Sequence, residues 1–187
     1  MSIGGSRRAA FSSLLDLAAP AALAASLSRR LEDRRVRDGL VVEKATSLLR
    51  TLTGRDAELK ETPMRIESRL KTAKSVEDKL VRKKDAFLDD LRDIVGVRVV
   101  VGAAGEEGTR LCYKVLRELA NSPTVLGVAD VKDYVRAPKA NGYQSLHATV
   151  YPVDRCLPRY EIQVRTSEMD RVASHGSASH AAYKARP

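Results

Sequence analysis

Paired cysteines and long apolar runs are the features that this chain lacks. Its two cysteines, Cys112 and Cys156, lie in an apolar helical pattern and in a Pro-flanked loop, without a CxxC spacing. This argues against a disulfide framework or a zinc site. No apolar run approaches the length that spans a bilayer, so we expect no membrane association. The sequence contains no internal repeat and no low-complexity tract, and its cysteine usage fits a reducing compartment such as the cytoplasm.

Positive charge is what the chain has in excess. Lys and Arg number 33 against 24 Asp and Glu, a formal net charge of +9, and hydrophobic residues make up 43% of the 187 residues. The hydrophobic share is typical of a globular domain with a core. The basic excess favours an anionic partner, such as nucleotides, nucleic acid or an acidic membrane face. Scattered Lys and Arg also suit a plain solvated surface, so cations that converge inside a motif carry more weight.

We interpret residues 1–60 as an N-terminal helical extension. Leucines recur at helical spacing between residues 21 and 52, which predicts two helices interrupted near Gly39. The first thirty residues contain one acid, Asp16, among Ser, Ala and Arg, and this composition also suits a transit peptide to an organelle such as a plastid. Gly54 and Pro63 break the helical pattern, so the compact domain is predicted over residues 61–187.

Strands and helices mix in the remaining sequence. We predict strands over residues 65–71, over "DIVGVRVVVG", through Val150 and over "RYEIQVRT", with helices from Ser75, over 107–120 and from Ser167 towards Tyr183. Ser75 with Asp78 three residues later has the spacing of a capping box. The order of elements predicts an α+β fold, or a mixed α/β fold, with helices packed on a sheet.

An acid, an amide and a guanidinium share one face of the predicted strand "YEIQVRT". Side chains alternate across a strand, so Glu161, Gln163 and Arg165 face one way and Ile162 and Val164 face the other. The apolar face belongs to the core. The polar face suits the border of a polar cleft, or else an exposed sheet surface whose Glu–Arg pair contributes little energy.

Asp93 stands at the start of the most apolar predicted strand. An acid at such a position must face water, pair with a cation or bind a metal. With Glu161 from a neighbouring strand it would form a hard-oxygen site for Mg²⁺, which takes carboxylates together with substrate phosphates. The alternative is a turn residue that starts the strand. Asp93 and Arg98 are five residues apart and would face opposite ways, so either Gly96 marks a bulge or Asp93 precedes the regular strand.

Cations surround the start of the predicted helix at Ser75. Ser75 and Lys79 lie one helical turn apart, and Lys71 lies just before the helix. The two lysines and the amides of the helix N-terminus suit the triphosphate of a nucleotide. A simple cap with solvated lysines is the alternative. Arg98, in the next strand, offers a planar guanidinium that can stack on a base.

Five segments occur in one order: "RLKTAKSVEDK", "DIVGVRVVV", "CYKVLREL", "DYVRAPKANGYQSLHATV" and "EIQVRTSEMD". Together they resemble the synthetase domain of the RelA/SpoT family, which makes the alarmones pppGpp and ppGpp, over about residues 65–184. The PKxNGYxSLH and ExQxRT blocks are the specific part of the match. The resemblance implies a nucleotidyltransferase-like fold with a mixed sheet. It also implies transfer of the β,γ-pyrophosphoryl group of ATP to the 3′-hydroxyl of GDP or GTP, with release of AMP and with Mg²⁺ as cofactor.

The resemblance implies a guanosine site around "PKANGYQSLH". Tyr143 matches the ring that stacks on guanine; Gly142 permits the tight turn, and an exposed Tyr offers a flat platform for a base. The implied GDP/GTP-binding residues are Lys139, Asn141, Tyr143, His147, Gln163 and Arg165.

The same resemblance implies an ATP site and a catalytic pair. Asp93 matches a Mg²⁺ ligand, and Glu161 matches the residue that activates the acceptor hydroxyl and also contacts the metal. The implied ATP-binding residues are Arg69 and Arg98 around the adenine, and Lys71, Ser75 and Lys79 around the phosphates.

The closing segment departs from the family pattern. "SHGSASHAAYK" has Ser174 at an acidic position, Ser179 at an alanine and Ala181 at a tryptophan. A non-catalytic nucleotide- or nucleic-acid-binding module therefore stays as an alternative, although Asp93 and Glu161 are both kept.

A second alternative is a toxin-like relative that pyrophosphorylates adenosine nucleotides or tRNA 3′ ends. Tyr143 in an intact NGYQSLH block favours guanosine, so we expect no nucleic-acid partner. The chain has no His-Asp motif of the alarmone hydrolase domain, which indicates a small stand-alone synthetase or a fragment of a longer protein. Stand-alone members often assemble through helical extensions, and residues 21–52 would serve a homo-oligomer in that way.

Overall fold

Two helices precede the sheet in this computed structural model, which describes residues 20–82 and 94–175. Helix α1 spans Pro20–Arg55 and helix α2 spans Ala57–Glu61. The predicted interruption near Gly39 was wrong, because α1 continues through that residue. A helical Gly costs about 1 kcal/mol relative to Ala. Burying Val41 and Leu49, at 1% and 0% exposure, contributes more than that, since each such side chain stabilises by about 1.5–3 kcal/mol.

Five strands form one mixed sheet in the order β1-β2-β5-β4-β3. The β2 and β5 strands pair in parallel and the other neighbours are antiparallel. The strands are β1 Met64–Leu70, β2 Val95–Val101, β3 Val125–Asp133, β4 Leu146–Pro152 and β5 Tyr160–Thr166. The other helices in the described part of the chain are α3 Ala73–Arg82, α4 Gly105–Ala120 and α5 Ser167–His175. The predicted α+β class with a mixed sheet flanked by helices is confirmed.

One face of the sheet carries the hydrophobic core. Alternate residues of the central strands β2, β4 and β5 are buried there, as the period of two in their sequences predicts. They pack against apolar side chains of α1 and α4. Core members include Val41, Ala45, Leu49, Val97, Val99, Leu111, Val115, Leu146, Ile162 and Val164. The opposite face of the central strands is left for polar side chains.

Strand β3 at the edge of the sheet was missing from the sequence prediction. Its pairing with β4 shifts register between Val125 and Gly127 and again between Ala129 and Lys132. Asp130, between the two, has a positive φ of 52°. These irregularities remove the alternation by which a strand is recognised in sequence.

Helix α1 joins the same core as the sheet. The division of the chain into residues 1–60 and 61–187 stays a proposal about domain organisation. None of the helices among the described residues is both long and apolar enough to cross a membrane.

Candidate functional site

A row of polar residues crosses the face of the sheet opposite the core. Strand pairing aligns neighbours from β1 to β3 in the order Glu67, Arg98, Gln163, His147 and Lys132. Aligned residues of neighbouring strands share a face of the sheet. We call this surface the polar face. The predicted alternation of β5 is confirmed, because Ile162 and Val164 on the core face are fully buried.

Glu161 is held by a chain of hydrogen bonds on the polar face. Its Oε1 atom accepts a hydrogen bond from Gln163 Nε2 at 2.7 Å and lies 3.0 Å from His147 Nδ1. The Nε2 atom of His147 lies 2.7 Å from the Tyr143 hydroxyl oxygen. A neutral imidazole protonated on Nδ1 donates to Glu161 and accepts from Tyr143. The chain Tyr143–His147–Glu161–Gln163 thus fixes the carboxylate through two donors.

The turn that carries Tyr143 is built by its own backbone. The Gly142 N–H donates to the Lys139 carbonyl at 2.8 Å, and the Lys139 N–H donates to the Tyr143 carbonyl at 3.1 Å. Gly142 has a φ of 80°, which other residues adopt only at a cost. The Asn141 Oδ1 atom accepts the Tyr143 N–H at 3.2 Å, a contact typical of Asn in turns. The predicted tight turn at Gly142 is confirmed, and Asn141 helps to shape it.

Aromatic rings and cations gather around Tyr143. The ring is half-buried, so the expectation of an exposed Tyr was wrong. The Lys139 Nζ atom lies 5.0 Å from its centroid and 4.4 Å from that of Tyr134, and the Arg165 Cζ atom lies 5.9 Å from the Tyr143 centroid. Burial raises the pKa of Tyr143, with Arg165 opposing the shift, so the hydroxyl stays protonated at neutral pH and can donate to His147.

Tyr134 is a member of this cluster that the sequence prediction missed. Its ring meets His147 edge-on at 5.3 Å between centroids and Tyr143 at 6.1 Å. Edge-to-face pairs at such distances stabilise beyond their area burial. The aromatic at the start of "DYVRAPK" was the available signal, because the turn that follows returns the chain towards it.

Arg165 and Asp170 form a second group on the polar face. Arg165 is buried, and its Nη2 atom donates to Asp170 Oδ1. Asp170 Oδ2 accepts from Arg65 Nη2 at 2.6 Å, and Asp170 Oδ1 lies 3.8 Å from Arg98 Nη1. Arg98 Nη1 also donates to Glu67 Oε2 at 3.3 Å. Asp170 was missed by the sequence prediction, although it stands in the quoted segment "EIQVRTSEMD".

The helix start near the predicted phosphate cradle differs from the prediction. Helix α3 begins at Ala73, and Thr72 caps it: the Ser75 N–H donates to Thr72 Oγ1 at 3.3 Å, and Thr72 Oγ1 donates to Ser75 Oγ at 2.9 Å. The predicted cap at Ser75 was therefore wrong. Thr72 precedes the helix directly, which is where a capping side chain reaches the third amide. Ser75 and Lys79 are half-buried in α3 one turn apart, and Lys71 is half-buried just before it.

The expected ligands at the start of β2 are described only in part. Asp93 lies outside the described residues, and of Arg69 only the backbone is described. Strand β2 begins at Val95 and pairs with β1 and β5 without a register shift, so position 93 precedes the regular strand and Gly96 is not a bulge. Gly96 pairs with Arg69 on one side and Glu161 on the other. Two strand spacings put the Cα atoms of Arg69 and Glu161 about 10 Å apart, with no side chain on the strand between them.

This chain resembles known proteins over most of its length. A family profile described as "Region found in RelA / SpoT proteins" matches residues 68–187. The bifunctional (p)ppGpp synthase/hydrolase SpoT of Escherichia coli is 38% identical over 122 residues, which are 65% of this chain and 16% of that protein. A chloroplastic GTP diphosphokinase of rice is 38% identical over 160 residues, covering 78% of this chain and 27% of that protein. The matched part is thus a small share of the length of these relatives.

Solved structures match over most of their length. The small alarmone synthetase 1 of Bacillus subtilis superposes with a TM-score of 0.69 at 24% identity, covering 84% of this chain and 82% of that one. Small alarmone synthetase 2 of the same organism gives 0.64 at 25% identity, covering 81% and 82%. The first likeness shows the shared fold. Because the family profile covers more than half of the sequence, this chain belongs to the RelA/SpoT family, whose relatives named above act in (p)ppGpp metabolism.

Proposed function

We propose that this chain is a (p)ppGpp synthetase that transfers the β,γ-pyrophosphoryl group of ATP to the 3′-hydroxyl of GDP or GTP and releases AMP. The observation that carries the proposal is the Tyr143–His147–Glu161–Gln163 chain. It connects a fixed carboxylate to an aromatic ring through one imidazole. A carboxylate and a flat ring are the two groups that a nucleoside acceptor needs. The ring would stack on guanine, and the carboxylate would receive the proton of the hydroxyl.

Glu161 suits the role of general base. A base must sit within hydrogen-bond reach of the proton that it takes, in one orientation. The hydrogen bonds from His147 and Gln163 restrict the carboxylate in this way. The 3′-oxygen would then attack the β-phosphorus of ATP, the bond from that phosphorus to the α,β-bridging oxygen would break, and AMP would leave.

The ATP side of the proposed site lies across Gly96 from Glu161. Lys71, Ser75, Lys79 and the first amides of α3 would hold the phosphates, because the N-terminus of a helix attracts anions. Arg98 would stack on the adenine, together with Arg69. The distance of about 10 Å between the backbones at positions 69 and 161 leaves space for a polyphosphate between them.

Mg²⁺ fits the residues present. Among the described residues, no group of three or more His, Cys, Asp or Glu side chains forms a cage for a metal. Mg²⁺ does not require one, because it binds through one or two carboxylates together with substrate phosphates and water. Glu161 would hold it, with Asp93 as the proposed second ligand. Bound there, the ion would neutralise negative charge that develops on the phosphate oxygens.

The solved structures that this chain resembles support the proposal of synthesis. Relatives named pyrophosphohydrolases and a relative named pyrophosphokinase alike match this chain over 13–16% of their length, so that share does not separate the two activities. The small alarmone synthetases match over about four fifths of theirs, at 82% for each of the two named above. A solved complex of small alarmone synthetase 1 contains its product pppGpp. These likenesses support a synthetase with guanosine substrates.

The test is transfer of label from γ-labelled ATP in the presence of Mg²⁺. Separate reactions contain GDP, GTP, AMP or deacylated tRNA, with the wild-type chain, Glu161→Gln and Glu168→Gln as a matched control at an exposed acid of α5. We expect label on GDP or GTP with release of AMP. Loss of the general base should reduce the rate by about 10²–10⁴-fold in Glu161→Gln, with Glu168→Gln unchanged. Label on AMP or tRNA, no label at all, or an active Glu161→Gln would refute the proposal.

Assembly and compartment complete the proposal. We keep residues 21–52 as the proposed surface for a homo-oligomer and the cytoplasm as the compartment. The rice relative is a chloroplastic protein, which supports the organellar alternative. Light scattering of the purified chain tests the first point, since a monomeric mass at high concentration would contradict it.

A further inference from the structure

We propose that Asp170 is a positioning residue that sets Arg98 and Arg165 together and so couples the ATP half of the site to its guanosine half. This inference rests on the proposed function. It concerns a residue of α5, outside the set that the sequence assigned to nucleotides. The carboxylate of Asp170 contacts three guanidinium groups from three different strands.

The contacts of Asp170 are directional. Its Oδ2 atom accepts from Arg65 Nη2 at 2.6 Å, and its Oδ1 atom accepts from Arg165 Nη2 and lies 3.8 Å from Arg98 Nη1. Only 9% of Asp170 is exposed, and 2% of Arg165. The carboxylate is thus shielded from solvent, where charge-assisted hydrogen bonds are stronger than at the surface.

Charge balance explains why an acid is needed at this point. Arg65, Arg98 and Arg165 come from the adjacent strands β1, β2 and β5 and share the polar face. Three neighbouring guanidinium groups repel one another. Glu67 pairs with Arg65 and with Arg98. Arg165 is the buried one of the three and has Asp170 as its ion-pair partner, and a buried charge without a partner is strongly destabilising. The Nε atoms of Arg98 and Arg165 are buried without a hydrogen-bond partner among the described residues. Their orientation therefore depends on what holds the terminal nitrogens, and Asp170 contacts both groups.

The two arginines face different substrates in the proposed site. Arg98 is the proposed adenine contact, and it pairs in register with Gln163, the donor to Glu161. The guanidinium carbon of Arg165 lies 5.9 Å from the centroid of Tyr143, the proposed platform for guanine. One carboxylate therefore contacts one cation of each proposed subsite. Removing the Asp170 carboxylate should therefore weaken the binding of both nucleotides. Replacing a residue that contacts a single nucleotide should weaken the binding of that nucleotide alone.

The test measures binding of the two nucleotides separately by calorimetry. The ligands are GDP and the non-hydrolysable ATP analogue AMPCPP, each titrated with Mg²⁺ into the full chain. The variants are Asp170→Asn, which removes the charge, and Asp170→Glu, which keeps the charge but moves it by one methylene. Glu168→Gln, at an exposed acid of the same helix, is the control. Thermal melts of all four proteins accompany the titrations.

We expect Asp170→Asn to raise the Kd of both ligands by about tenfold, since a charge-assisted hydrogen bond is lost at Arg165 and an ion pair is lost at Arg98. Glu168→Gln should stay within about twofold, as surface substitutions do. A merely structural role would lower the stoichiometry of binding, because fewer chains fold, and leave the Kd of the folded fraction unchanged. That result, or a change for one ligand alone, would overturn the inference.

Asp170→Glu decides the matter if Asp170→Asn does not fold. A rise in Kd for both ligands again supports the positioning role, and unchanged affinities overturn it. The titrations and the label-transfer assay can fail independently. A wild-type chain that binds both ligands but transfers no label would refute synthesis, while the same titrations would still judge Asp170. A wild-type chain that binds neither ligand would overturn both.

Discussion

The Nδ1 atom of His147 lies 3.0 Å from Oε1 of Glu161, and its Nε2 atom lies 2.7 Å from the hydroxyl of Tyr143. One imidazole therefore connects the proposed base to the proposed base-stacking ring. His147 lies on β4 and Glu161 on its antiparallel neighbour β5, and both residues are half-buried. The sheet thus fixes the distance between His147 and the proposed base, and His147 in turn contacts the hydroxyl of the proposed guanine platform.

Replacing His147 by Gln should slow transfer without abolishing it. The variant loses the donor at Nδ1, so Glu161 keeps its hydrogen bond from Gln163 but gains freedom to rotate. Misplacement of a catalytic group by about 1 Å can cost about a hundredfold in rate, and we expect kcat to fall by that order. Initial rates with saturating nucleotides measure it. His175→Gln, at an exposed histidine of α5, is the control and should be unchanged. A kcat for His147→Gln equal to that of the wild type would show that the contact does not orient Glu161.

Tyr143 allows the ring to be separated from the hydroxyl. Tyr143→Phe keeps the ring and removes the contact with His147, so the KM for GDP should change little while kcat falls. Tyr143→Ala removes the ring as well, and stacking on one base is worth about 1–3 kcal/mol. The KM for GDP should then rise by about 5–150-fold, with the KM for ATP nearly unchanged. Steady-state kinetics with each nucleotide varied in turn provide the readout. Equal rises for both nucleotides, or equal effects of Phe and Ala, would contradict a guanosine platform.

The sequence predicted those parts of the fold whose signals are local. The alternation in "YEIQVRT" and the β-branched run of β2 follow from the chemistry of a half-buried or buried strand, and both strands are present. Gly142 was recognisable because few other residues adopt a positive φ. Strand β3 escaped because only Val125 among its residues is buried and its pairing is irregular. An edge strand of this kind has no pattern to recognise.

Positions that depend on distant partners could not be read from the sequence. The segment "TAKSVED" contains two hydroxyl residues, Thr72 and Ser75. The side chain of either could accept the N–H of the residue three positions later, so either could cap a helix. The helix begins at Ala73, two residues before the predicted start at Ser75. Just before it, the Lys71 N–H donates to the Ile94 carbonyl at 2.9 Å, a contact between residues far apart in the sequence. Asp170 is a similar case. Its contact with Arg65 joins residues 105 positions apart, a separation that no local pattern encodes.

Gly39 offers a direct test of the uninterrupted helix α1. A Cβ atom at this position would meet nothing within 4 Å, and the backbone there is helical. Gly39→Ala should therefore raise the free energy of unfolding by about 0.5–1 kcal/mol. Urea denaturation followed by circular dichroism measures the change. Gly142→Ala is the contrasting variant, because a φ of 80° is strained for Ala and should lower the stability. A Gly39→Ala protein less stable than the wild type would indicate a break in α1.

Asp133 should make the stability of the fold depend on pH. Its Oδ1 atom accepts the N–H groups of Val135 and Arg136 at 3.1 and 2.9 Å, and its Oδ2 atom accepts the Tyr113 hydroxyl at 2.7 Å. Burial opposes the shift, but these hydrogen bonds outweigh it and lower the pKa of Asp133 below its usual value. In the unfolded chain an Asp titrates near pH 4. A carboxyl with a lower pKa in the folded state stabilises the fold above the unfolded pKa, and this contribution is lost as the pH falls through the folded pKa.

The variant Asp133→Asn isolates this contribution. It removes the charge while keeping an oxygen acceptor, so the loss of stability relative to the wild type should be larger at about pH 7 than at about pH 3.5, where the wild-type carboxyl itself approaches protonation. Urea denaturation of both proteins at the two pH values gives the comparison, and the measurement at low pH serves as the internal control. The same loss at both pH values would mean that Asn disturbs the turn through its shape. In that case the hydrogen bonds from Val135, Arg136 and Tyr113 would not depend on the charge of the carboxylate.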